Sequence, residues 1–140
     1  MKINFMLIDD NEIDLFIDRK YIEKEVGNAE VRTFQKAKNA LKYLQCYEND
    51  KEDHDHFYPD IILLDINMPE MNGFEFLNAL GNLRDTRILR IKTYLLSSSS
   101  HLNDILDAEN HDNCEGFINK PLTGRKLEQI LDEIFPKPKQ

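Results

Sequence analysis

Apolar positions along this chain switch repeatedly between two spacings. Ile3 to Ile8 is a short, nearly unbroken apolar run, the pattern of a strand buried on both faces. Ile13, Phe16, Ile17 and Tyr21 then recur at helical spacing, a stripe that fades near Gly27. Val31 to Phe34 predicts a second strand, and Ala37, Ala40, Leu41 and Leu44 a second helix. Between Glu48 and Pro59 the chain is rich in Asp, Glu and His and reads as a solvated loop. Ile61 to Leu64 is the strongest buried-strand signal, and it stops sharply at Asp65. Phe74, Leu77, Ala79 and Leu80 predict a third helix beginning near Gly73. Thr93 to Leu96 is a fourth strand running into Ser97-Ser98-Ser99-Ser100. Ile105, Leu106 and Ala108 mark a fourth helix, and Phe117-Ile118 a fifth strand. Leu127, Ile130, Leu131 and Ile134 line a fifth helix, closed by Pro136.

Strands that alternate with helices imply βαβ units. The fold class is therefore α/β: a five-stranded parallel sheet, doubly wound, with five helices on both faces. Ligand sites of such sheets lie beyond the carboxyl ends of the strands. The polar residues at those ends are Asp9-Asp10, Asp65, Ser97 and Lys120-Pro121. Carboxylates gathered along one edge repel one another unless a cation stands among them. Mg²⁺ suits such a set, because it prefers oxygen ligands and binds through a few carboxylates together with phosphate oxygens. A carboxylate can also attack phosphorus and form an acyl phosphate. Asp9 and Asp10 could hold the metal, Lys120 could supply a fixed cation, and Ser97 could donate to a phosphoryl oxygen. Asp65 is the best nucleophile, because it follows the most apolar strand and precedes a loop able to admit a donor.

Composition narrows the class without changing the picture. A length of 140 residues suits one domain with one core, about 4–135, and a frayed tail over 136–140. The net charge of −8 argues against binding nucleic acid. No apolar run approaches the ~20 residues that span a bilayer, and no signal peptide precedes the first strand, so a cytoplasmic location is expected. Cys46 and Cys114 lack C-x-x-C spacing and read as free thiols. His54 and His56 form an H-x-H pair in the acidic loop, with no third ligand nearby, and read as solvated. None of the four histidines sits in a recognisable phospho-accepting motif.

The segment Asp65-Ile66-Asn67-Met68-Pro69-Glu70-Met71-Asn72-Gly73 has the form D-x-x-M-P-x-x-x-G. With Asp9-Asp10 before it and Ser97 and Lys120-Pro121 after it, the chain resembles the receiver domain of bacterial two-component response regulators, in a stand-alone form. The resemblance runs from about Asn4 to Phe135. It implies a flavodoxin-like fold and a phosphoryl-accepting switch in which Asp65 takes the group from a histidine kinase or a histidine phosphotransfer protein. It implies Mg²⁺ on Asp10, Asp65 and the Asn67 backbone carbonyl, with Asp9 acting mostly through water. Ser97 and Phe117 match the family's switch pair, and the face of helix four, strand five and helix five is implied to meet an unknown target protein. Such a protein is not an enzyme toward other substrates; it catalyses only its own phosphorylation and dephosphorylation.

Each residue also has a plainer reading. Asp9-Asp10 could cap the first helix. Lys120 could be a surface lysine at a turn, and Phe117 ordinary core. Ser98, Ser99 and Ser100 could be loop or N-cap residues, and the switch serine could be displaced by one position within the run. The sequence departs from the family pattern in its long acidic loop and in Ile91-Lys92, where a proline often opens strand four. Two other functions compete: an aspartyl-phosphate hydrolase of the haloacid dehalogenase type, and a pseudo-receiver that binds partners without phosphorylation. The hydrolase needs a second acid two residues after the nucleophile, where this chain has Asn67.

Overall fold

The computed structural model describes residues 2–49, 57–83, 86–98 and 102–136. The elements run β1 (Ile3–Ile8), α1 (Glu12–Glu25), β2 (Ala29–Phe34), α2 (Ala37–Asn49), β3 (Ile61–Asp65), α3 (Gly73–Gly81), β4 (Lys92–Ser97), α4 (Leu102–Asn110), β5 (Gly116–Asn119) and α5 (Gly124–Ile134). A short 3₁₀ turn, Thr86–Arg90, precedes β4. All strand pairings are parallel, in the order β2-β1-β3-β4-β5. That is the doubly wound, flavodoxin-like order, with its switch point between β1 and β3. Among the described residues no helix is long and apolar enough to cross a membrane.

Side chains alternate across the sheet and build two cores. Met6, Ile8, Ile62, Leu64 and Leu95 face α2, α3 and α4, where they meet Ala40, Leu44, Phe76, Leu77 and Ala108. Phe5, Leu7, Ile61, Leu63, Leu96 and Ile118 face α1 and α5, where they meet Leu15, Ile22, Leu127 and Ile130. The three inner strands are apolar on both faces because helices cover both sides.

Two local expectations need correcting. The stripe expected to bury α1 does not face the sheet: Ile13, Phe16 and Ile17 are 69%, 60% and 43% exposed. The buried residues of α1 are Leu15 and Ile22, spaced by two turns, and they pack into the core shared with α5. The end of the acidic loop is also not solvated. Phe57 is 1% exposed, its ring stands edge-on to Tyr43, and its carbonyl accepts the Tyr43 hydroxyl at 2.6 Å. Residues 50–56, including His54 and His56, lie outside the described residues, as do Ser99, Ser100 and the last four of the tail.

Candidate functional site

Parallel strands put their carboxyl ends on one edge, and register decides which ends meet. Phe5 aligns with Ile61 and Ile8 with Leu64, so Asp9, just past the end of β1, comes level with Asp65, the last residue of β3. By alternation both lie on the α1/α5 side, in step with Leu7 and Leu63. Lys120 follows β5 on the same side, in step with Ile118. Its main-chain N–H donates to the Ser97 carbonyl at 2.9 Å, which ties the lysine to the end of β4. The Lys120–Pro121 peptide is cis.

The turn after Asp65 is built by backbone contacts. Ile66 N–H donates to Leu96 and Gly73 N–H donates back to Ile66. Between them Glu70 holds φ 68° in the left-handed region, and Met71 N–H closes a tight turn onto the Pro69 carbonyl. Asn72 and Glu75 form a reciprocal capping box that starts α3. Gly73 sits where a side chain would be crowded. A Cβ there would lie 3.0 Å from the Asp65 carbonyl oxygen, from Ile66 Cα and from Leu95 Cδ2.

Asp9, Asp10 and Asp65 each bring a carboxylate oxygen within 4.8 Å of the others. Asp9 and Asp65 are buried, whereas Asp10 is open to solvent. Asp9 and Asp10 do not cap α1. Asn11 does so, accepting from Ile13 and Asp14, while Asp9 accepts the Asn11 N–H at 2.9 Å. The Lys120 ammonium lies 2.8 Å from Asp9, 3.2 Å from Asp14 and 3.6 Å from Asp65. Burial pushes the Asp65 carboxyl up from 3.8 to about 6, and the Asp9 charge adds to it, against the pull of Lys120. Burial alone would make Lys120 easier to deprotonate, but the Asp9 hydrogen bond and the Asp9 and Asp65 charges outweigh it and hold the ammonium above the ordinary lysine value. The half-buried Asp18 carboxyl is pushed up to about 7 by burial and by the Asp9 and Asp14 charges.

Hard oxygen donors make this set fit a divalent cation such as Mg²⁺. The raised Asp65 carboxyl is the second sign of fit, because burial and then the Asp9 charge outweigh the pull of Lys120 and leave its negative charge poorly compensated. Asn67 is exposed beside the cluster, and its N–H points to Asp65 Oδ1 at 3.4 Å. Ser97 ends β4 with no exposed surface, opposite Asn119 of β5, and Ser98 is exposed. Phe117 is half-buried opposite Leu95 and packs against the α2/α3/α4 core. It also lines an open groove of about 300 Å³ with Tyr94, Lys126, Ile130 and Glu133. The structure thus draws Asp9, Asp10, Asp65 and Lys120 into one cluster, and sets Ser97 and Phe117 on the neighbouring strands at its flank.

Sequence reasoning missed Asp14 and Asp18. They stand four apart on α1 and so share a face. That spacing is visible in the chain, but the apolar positions of a helix do not say which of its acids turns toward a site.

A doubly wound sheet with an acidic cluster and a lysine at its switch point defines a receiver-type signalling domain. The chain belongs to the response regulator receiver domain family, whose model matches residues 5–132. A two-component response regulator from Cytophaga hutchinsonii shares the fold, with a TM-score of 0.83, 27% identity, and coverage of 98% of this chain and 100% of that one. A response regulator receiver protein from Dyadobacter fermentans DSM 18053 is 32% identical, with a TM-score of 0.77 and coverage of 96% and 99%. A two-component response regulator of Arabidopsis thaliana is 24% identical over 136 residues, which span 95% of this chain and 69% of the relative.

Proposed function

We propose that this protein is a phosphoryl-accepting switch of a two-component relay, with Asp65 as the acceptor. The observation that carries the reading is the cluster of Asp9, Asp10, Asp65 and Lys120 at the carboxyl edge of a receiver fold. The donor is a phosphohistidine on a kinase or phosphotransfer protein of the cytoplasm. An Asp65 carboxylate oxygen attacks its phosphorus; the P–O bond forms, the N–P bond breaks, and the imidazole nitrogen leaves with the electron pair. Lys120 offers positive charge to the phosphoryl oxygens as they arrive. Asp10, Asp65 and the Asn67 carbonyl would ligate Mg²⁺, with Asp9 acting mostly through water. When bound, the ion supplies charge neutralisation for the phosphoryl oxygens.

In this reading Ser97 donates to the phosphoryl group and the Phe117 ring turns inward. The face of α4, β5 and α5 then changes its affinity for a target protein. The match over 5–132 supports treating the chain as a single receiver domain. Asn67, two residues after Asp65, speaks against the hydrolase alternative, because an amide cannot serve as general acid and base.

Incubation with acetyl phosphate and Mg²⁺, followed by intact mass measurement, tests the proposal. One added phosphoryl group is expected, lost in EDTA and in Asp65→Asn. No adduct from acetyl phosphate or from a cognate kinase overturns it. Repeated turnover of an external phosphoester moves the assignment to the hydrolase.

A further inference from the structure

The Lys120 ammonium has three N–H donors and three carboxylates around it. Two of these, Asp9 and Asp65, belong to the acceptor cluster. The third, Asp14, stands on the first turn of α1 and is not in the metal-binding group. Its Oδ2 lies 3.2 Å from Nζ, within hydrogen-bond reach, whereas Asp65 Oδ1 at 3.6 Å lies just outside it. Asp9 and Asp14 therefore take a donor each in the resting protein.

A lysine side chain turns about four carbon–carbon bonds, and a single partner leaves its ammonium free to swing. Two partners on separate elements, Asp9 after β1 and Asp14 on α1, fix its position between them. Asn11 strengthens the arrangement, because its side chain accepts the Asp14 N–H and pins the turn that carries the carboxylate. Asp18 continues the acidic face one turn on, and its half-buried carboxyl is pushed up to about 7 by burial first and then by the Asp9 and Asp14 charges.

We propose that Asp14 is a positioning residue for phosphoryl transfer: with Asp9 it holds the Lys120 ammonium in place, so that the third N–H is left for the oxygens that gather on Asp65. The proposal rests on the reading of Asp65 as the acceptor. Asp14 touches neither the donor nor the acceptor oxygen, and acts only through Lys120. Its removal lowers the rate of the transfer step and leaves metal and donor binding alone.

The 140-residue chain, phosphorylated by acetyl phosphate at saturating Mg²⁺ and followed by intact mass, provides the test. Asp14→Ala is expected to lower the rate constant at saturating donor by about three- to tenfold, the net worth of an ordinary hydrogen bond. The donor and Mg²⁺ concentrations giving half-maximal rate should stay within about twofold, the scatter of a neutral change. Asp14→Asn keeps an acceptor oxygen and should fall between Asp14→Ala and the unmodified chain. In a Lys120→Ala background Asp14→Ala should have no further effect. Where that background is too slow to follow, the ¹⁵Nζ–¹Hζ signal of Lys120 decides: restrained in the unmodified chain, averaged toward free lysine in Asp14→Ala. A loss under threefold, a faster reaction, the same fold-loss in both backgrounds or an unchanged Nζ signal overturns the proposal. An unmodified chain that takes no phosphoryl group at all overturns the function instead.

Discussion

Asp65 is held in a place where its own charge is unfavourable. It is 5% exposed, beside Asp9, and its carboxyl is pushed up from 3.8 to about 6. Below about pH 4 both folded and unfolded chains carry the proton, and the residue has no net effect. Between about pH 4 and 6 the unfolded chain releases it first, so stability falls as pH rises through that window. Without metal, Asp65→Asn should therefore raise the unfolding free energy at pH 7.5 by about 1–3 kcal/mol, since each pH unit separating the folded and unfolded values is worth ~1.4 kcal/mol. The gain should vanish at pH 4. Urea unfolding in EDTA at the two values checks this, and a variant less stable at pH 7.5 contradicts it. Lys120 works with the opposite sign. Its folded value lies above the unfolded one, so its contribution is complete at neutral pH and is lost only as pH rises through the folded value. The residue types at this site were readable in the sequence because each follows an apolar run. Asp14 was not, because a carboxylate on an exposed helix turn looks like any solvated acid until Lys120 is seen beside it.

Among the elements, the turn from β3 into α3 decides where Asp65 sits. Three of its features act together: the left-handed Glu70, the Asn72–Glu75 capping box and the close approach of Gly73 to the main chain after Asp65. Gly73→Ala forces a methyl group against two backbone atoms and Leu95, which have little room to yield. A loss of about 1–3 kcal/mol in unfolding free energy is expected, the usual penalty for overpacking. Denaturant unfolding checks it, and slower phosphorylation should accompany it because the strain falls on the Asp65 carbonyl. A substitution as stable as the unmodified chain would show that the turn can relax. The β3 strand and this loop were legible together, since Ile61-Ile62-Leu63-Leu64 is apolar on both faces and M-P-x-x-x-G marks the turn. Helix α1 was legible as a helix but not in its orientation. Ile13, Phe16 and Ile17 follow helical spacing as well as Leu15 and Ile22 do, and periodicity cannot say which of two apolar stripes meets the sheet.

For the molecule as one body, a cation held at the acidic edge would couple its binding to folding. A cation that binds the folded cluster and not the unfolded chain stabilises by mass action, about 1.4 kcal/mol at ten times its dissociation constant. Mg²⁺ titration during thermal unfolding should raise the midpoint progressively, EDTA should reverse the rise, and Asp10→Asn should weaken it. A midpoint insensitive to Mg²⁺ would remove the metal from the cluster.

The number and order of the elements and the class of sheet are written in the order of residues, because burial on both faces and helical spacing leave different marks on the chain. So is the choice of polar residues that end the strands. Folding in three dimensions settles how far apart those residues stand and which face α1 turns inward. It also settles that Asn11 caps α1, so that Asp9 is left for Lys120, and that Asp14 reaches the same ammonium. Those distances come from strand register and from the packing of α1 beside α5, which bring together residues more than a hundred positions apart, such as Asp9 and Lys120. A local pattern carries no record of such a meeting.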